Sequence, residues 1–110
     1  MAYTITYYSD AVQEAVLGLP PSLLARYFSL TDRMAIYGAN LGAPHTTAFG
    51  GGLFELRMKG AEGIARVFYC TLVGRRIVML HSFVKKTQKT PPNERRIAET
   101  RMKEVKHANS

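Results

Sequence analysis

Residues 53–84 constrain the fold most, because they hold three strand-like segments joined by very short turns. Leu53 to Lys59 alternates, with Phe54, Leu56 and Met58 on one side and Glu55, Arg57 and Lys59 on the other. Gly60-Ala61-Glu62-Gly63 reads as a tight turn, and Ile64 to Val73 as a longer strand. Val73-Gly74 then turns the chain into Arg75 to Val84. Connections this short permit only antiparallel neighbours, since a parallel pair needs a crossover of a dozen residues or more. A three-stranded meander is therefore expected, and the rest of the chain must arrange itself around it.

Upstream, Tyr3-Thr4-Ile5-Thr6-Tyr7-Tyr8 has the β-branched and aromatic character of a short strand. Ser9 or Asp10 can cap a helix running to Leu17, with Gly18 at its exit. Pro20-Pro21-Ser22 opens a second helix, whose Leu23, Tyr27, Leu30, Met34 and Tyr37 step by three and four into one apolar stripe ending at Gly38. Residues 38–52 carry five of the nine glycines and read as a loop; His45 within it has no partner at metal-ligand spacing. Thr90 can cap a last helix with Pro91 in its first turn and Ala98, Met102 and Val105 as a narrow apolar stripe. The order is β-α-α-β-β-β-α within one domain, residues 1–110. It predicts an α+β fold: a mostly antiparallel four-stranded sheet with the helices packed on one face. Pattern leaves open whether the first strand lies at an edge or in the centre.

Charge is concentrated in the meander. Of the formal net +7, residues 53–90 supply eight basic groups against two acidic ones, while residues 1–52 are slightly acidic. Arg57 and Lys59 share a strand face, Arg66 follows on the next strand, and His81, Lys85 and Lys86 lie on or just beyond the third. A twisted sheet face bearing these cations suits a polyanion, with Arg75, Arg76 and Lys89 as further candidate RNA contacts. The same face could instead dock an acidic partner. There is no membrane-length apolar run and no signal-peptide pattern, and Cys70 is the single cysteine, so the expected compartment is the cytoplasm. Cys–His metal spacing, acidic clusters and a phosphate-binding glycine loop are all missing, and Gly50-Gly51-Gly52 precedes a strand rather than a helix. No metal or organic cofactor is expected, and Cys70, mid-strand among apolar residues, reads as core.

Four pieces of sequence, taken in order, resemble the phage-derived branch of the RelE/HigB toxin superfamily. They are Tyr37-Gly38-Ala39-Asn40-Leu41-Gly42, Gly52-Leu53-Phe54-Glu55-Leu56-Arg57, Arg66-Val67-Phe68-Tyr69, and Leu80-His81-Ser82-Phe83-Val84-Lys85-Lys86-Thr87-Gln88-Lys89-Thr90-Pro91. The likeness spans roughly residues 3–105. It implies a RelE-like fold and a metal-independent mRNA endoribonuclease acting on the translating ribosome. It also implies a paired antitoxin, HigA-like with a helix-turn-helix domain. Position by position, Arg57 and Arg66 match the family's strand arginines and Lys85 and Lys86 its terminal lysine pair; Lys59 and His81 match less closely. His107 lies in a tail that reads as frayed and is not a candidate.

Such an enzyme needs a base for the 2′-hydroxyl, positive charge on the phosphorane and an acid for the leaving oxygen. Arg57 and Arg66 suit the charge-stabilising role. Lys85 and Lys86 suit clamping or acid catalysis. Lys59 can be the base if neighbouring cations lower its pKa, and His81 is the alternative unless it merely fills space beside Phe83. A non-catalytic RNA- or protein-binding module, a degenerate toxin on the same scaffold, is the competing reading.

Overall fold

A computed structural model describes residues 2–85 and 91–109. Eight elements follow one another: β1 (Thr4–Tyr7), α1 (Asp10–Leu17), α2 (Pro21–Tyr37), β2 (Thr46–Gly50), β3 (Leu53–Gly60), β4 (Gly63–Leu72), β5 (Arg76–Lys85) and α3 (Pro92–Ala108). The strands form one sheet in the order β1-β5-β4-β3-β2. The β3-β4-β5 meander is antiparallel as expected, and β1 joins it at an edge, parallel to β5. The class is α+β with a mixed five-stranded sheet rather than a four-stranded one. The extra strand, β2, lies inside the glycine-rich stretch expected to be loop. Its five residues pair antiparallel with β3, Thr46 opposite Leu56 and Ala48 opposite Phe54. Glycines on both sides mask so short a strand, and only a partner edge gives it hydrogen bonds to make.

The helices do not share one face. On α1 and α2, Val12, Val16, Leu23, Tyr27, Leu30 and Met34 are buried against Leu56 and Met58 of β3, Ala65, Val67 and Tyr69 of β4, and Ile77 and Met79 of β5. Helix α3 covers the opposite face, burying Ala98 with Leu53, Phe68, Cys70, Val78 and Leu80, while Met102 and Val105 pack alongside. The sequence pattern contains this answer in part: Phe68, Cys70 and Val78 are apolar on the second face, so both faces need a cover. The expected α2 stripe holds through Met34, but Tyr37 is 76% exposed.

Local chemistry sets the element ends. The Ser9 hydroxyl accepts from the Val12 amide at 3.2 Å, capping α1. Helix α3 starts at Pro92 with Pro91 as its cap residue and no side-chain cap bond; Thr90, the expected cap, lies outside the described residues. His107 sits in the last turn of α3, helical rather than frayed. Between β3 and β4, Gly60 lies so close to α2 that an added Cβ would meet the Ser22 hydroxyl at 2.7 Å. That approach requires glycine, and it brings the start of α2 onto the turn.

One irregularity decides the layout of the site. Phe68 pairs with His81 but Tyr69 pairs with Met79, so Leu80 is an extra residue in β5. Beyond this bulge the alternation of β5 is inverted. His81, Phe83 and Lys85 therefore lie on the α3 face, opposite Phe68, Arg66 and Ile64.

Candidate nucleic-acid interface

Helix α3 covers only part of its face. Its buried contacts reach from Leu53 and Cys70 to Leu80, and His81 Nε2 meets the Glu94 carboxylate near the helix start. Beyond that, the ends of β3, β4 and β5 carry Arg57, Lys59, Arg66 and Lys85 on one sheet face. Arg57 and Arg66 are directly opposite each other. Like charges so placed repel, and Glu55, two residues before Arg57 on the same face, offsets them. The Arg66 Nη1 donates to Glu55 Oε1 at 2.6 Å, and the two residues are 7% and 4% exposed. Arg66 Nε is buried without a hydrogen-bond partner among the described residues. The guanidinium is thus held by one edge, with donor capacity left over.

Lys85 is buried at the end of β5. Burial pushes its ammonium pKa down, Arg66 and Arg57 push the same way, and only Glu55 opposes them. A lysine so placed gives up its proton more readily than an exposed one. Arg57 is half-buried and Lys59 exposed. Both also line a pocket with Arg26, Pro44 and His45 just ahead of β2, where the last residues of β3 have no β2 partner.

The structure thus brings Arg57, Lys59, Arg66 and Lys85 together and separates the other candidates from them. His81 is engaged by Glu94 of α3 and stacks on Phe83 with ring centroids 5.9 Å apart, within the row Phe49, Phe68, Phe83. Arg75 and Arg76 lie at the far end of β5, roughly 30 Å away at ~3.3 Å per strand residue. There Arg75 covers the Tyr3 ring, and Arg76 donates to the Asn109 side chain. They belong to a different end of the sheet from the expected groove. Lys86 and Lys89 lie outside the described residues. Cys70 is buried and its thiol pKa is pushed up to about 11 by desolvation, as expected of a core residue.

Sequence reasoning missed Glu55 as a member of the site. Its signal was present: a lone acid on the cationic face of its strand, where solvent exposure would give it nothing to do. The described residues contain no group of three or more His, Cys, Asp or Glu placed to hold a metal ion. Among them no helix is long and apolar enough to cross a membrane.

No curated protein matches the chain. Residues 14–103, which contain α2, all of β2 to β5 and most of α3, match the family described as Phage derived protein Gp49-like (DUF891). The chain belongs to this phage-derived Gp49-like family.

Proposed function

We propose that the protein is a toxin of the RelE/HigB type that cleaves mRNA on the ribosome, in the cytoplasm, under the control of a helix-turn-helix antitoxin. The Gp49-like family is associated with RelE-type toxins, which is compatible with this reading. The observation that carries it is the meeting of Arg57, Arg66 and the buried Lys85, whose pKa is lowered by burial and the two arginines, on one sheet face.

In this reading the deprotonated fraction of Lys85, raised by its lowered pKa, takes the proton of the ribose 2′-hydroxyl. The freed oxygen attacks the adjacent phosphorus in line, and the bond from phosphorus to the 5′ oxygen breaks. A 2′,3′-cyclic phosphate and a 5′-hydroxyl result. Arg57 and Arg66 stabilise the charge that grows on the phosphorane oxygens. Glu55 holds Arg66 in place. Lys59, exposed at the rim, returns a proton to the leaving oxygen.

The test is primer-extension mapping of message ends in a translating extract. Wild-type protein is expected to produce discrete cuts. Arg66→Ala should lower the cleavage rate by ~10²–10³, and Lys85→Met should do so without opening the Glu55 ion pair. Message that stays intact with folded wild-type protein removes the nuclease reading. A second reading then stands on the ion pair itself: Arg66 and Glu55 neutralise each other in the sheet, and the remaining cations serve RNA or protein binding alone. Retained RNA affinity without cutting or growth arrest decides for it.

A further inference from the structure

Three elements converge on a basic pocket beside this face. Arg26 of α2, Pro44 and His45 of the α2–β2 loop, and Arg57 and Lys59 of β3 line a pocket of about 290 Å³, with no carboxylate among them. Both walls are fixed by hydrogen bonds. On one side the Ser22 amide donates to Glu62 Oε1 at 2.7 Å and the Glu62 amide donates back to the Ser22 hydroxyl at 3.2 Å. This reciprocal tie joins the first turn of α2 to the β3–β4 turn and sets Arg26, one helical turn further on, over the end of β3. On the other side the Gly42 carbonyl accepts from the amides of both His45 and Thr46, each at 3.0 Å. The His45 carbonyl in turn accepts from the Arg57 amide at 2.8 Å. The loop is therefore anchored to β3 one residue before β2 begins to pair.

Three cations gathered in one pocket repel one another, and no carboxylate lines the pocket itself. A bound anion would offset that repulsion. Its forked Arg donors and mobile Lys ammonium match the oxygens of a phosphodiester. Arg57 belongs to both places: it lines the pocket and lies opposite Arg66 in the sheet. The two sites therefore adjoin at Arg57.

We propose that the pocket of Arg26, His45, Arg57 and Lys59 is a second phosphate-binding subsite, holding the RNA phosphate next to the scissile one, with Arg57 and Lys59 on the border between the two. The adjacency to a cleavage site rests on the nuclease reading, whereas the grip on a phosphate does not. The subsite fixes the strand's register, so that the scissile bond is presented to Lys85.

The experiment measures equilibrium binding of a fully 2′-O-methylated RNA oligonucleotide, which cannot be cleaved, across a salt series. Wild type is compared with Arg26→Ala and with Arg33→Ala, which removes the same charge from an exposed position of the same helix outside the pocket. Arg26→Ala should weaken binding roughly tenfold and flatten the log–log salt slope by about 0.7. Arg33→Ala should leave both near wild type. Equal losses in the two variants, or no loss in either, overturn the subsite. Cleavage in the translating extract is read separately: wild type that cuts message while Arg26→Ala binds normally sinks the subsite alone. A chain that never cuts but binds RNA through Arg26 sinks the nuclease reading and leaves the subsite standing.

Discussion

At the scale of single residues, the buried pair of Glu55 and Arg66 combines two demands that pull apart. Removing either partner leaves an uncompensated charge in a place water does not reach, at a cost of roughly 3–5 kcal/mol. Arg66→Ala and Glu55→Ala should each lower stability by that order in urea unfolding. The paired change Glu55→Leu with Arg66→Met should recover most of it, because both charges go together. If the double variant is less stable than the sum of the singles, the pair is not the unit its geometry describes. Lys85 makes a second prediction, through pH. Its folded pKa lies below the ~10.4 of an unfolded lysine. Between those two values the unfolded chain binds the extra proton, so stability rises with pH across the window and the penalty is largest below it. Relative to Lys85→Met, wild type should therefore gain Tm as pH climbs toward ~10.4; a flat difference would refute it. In the cleavage assay the same lysine should give a rising limb in kcat/KM that starts below the range of an ordinary lysine and vanishes in Lys85→Met.

At the scale of elements, α3 separates the apolar half of its sheet face from the cationic half. Its hold is narrow: Ala98 is the one residue of the helix that is fully buried among those described, with Met102 and Val105 beside it. The Tyr8 hydroxyl donates to Glu104 at 2.7 Å, and Arg101 lies over the Tyr8 ring while donating to the Leu80 carbonyl at 2.8 Å. These contacts tie the helix to β1 and β5. An acidic group at the contact point should lift it. Ala98→Asp is predicted to expose Cys70, so that thiol labelling by an aromatic disulfide accelerates at least tenfold. Far-UV circular dichroism should keep the sheet signal contributed by the α1/α2 side. Labelling that stays as slow as in wild type would mean that something other than α3 shields the thiol. The bulge at Leu80 belongs to this scale as well. It carries Leu80 and His81 on one face in succession, the first under α3 and the second against Glu94.

At the scale of the whole molecule, the sheet has two ends of unlike use. Four cations gather where β3 and β5 finish and β4 begins, and two more sit at the opposite end in contacts with Tyr3 and Asn109. Neutralising Arg75 and Arg76 together should change RNA affinity by less than about twofold, since far charges are screened beyond a Debye length of ~8–10 Å. Neutralising Arg57 and Lys59 together should lower it at least tenfold in the same filter-binding assay. Comparable losses from the two pairs would mean that net charge rather than place governs binding. The meander, α1, α2 and the cationic strand face were legible from residues 10–37 and 53–84, because period and turn chemistry are local properties. Leu56 and Cys70 could be assigned to the interior from the same local pattern, and Arg57 and Lys59 to a shared face. Strand β2 and the second covered face were not, because a short strand needs a neighbour and a sheet face needs a lid from far along the chain. The amino-acid sequence alone thus determined the strands of the meander and the charges they bear. Only the tertiary structure decided that Lys85 would stand beside Arg66. One unpaired residue in β5 reverses the direction of every side chain after it, and the pairing that creates that bulge exists only once β4 and β5 have met.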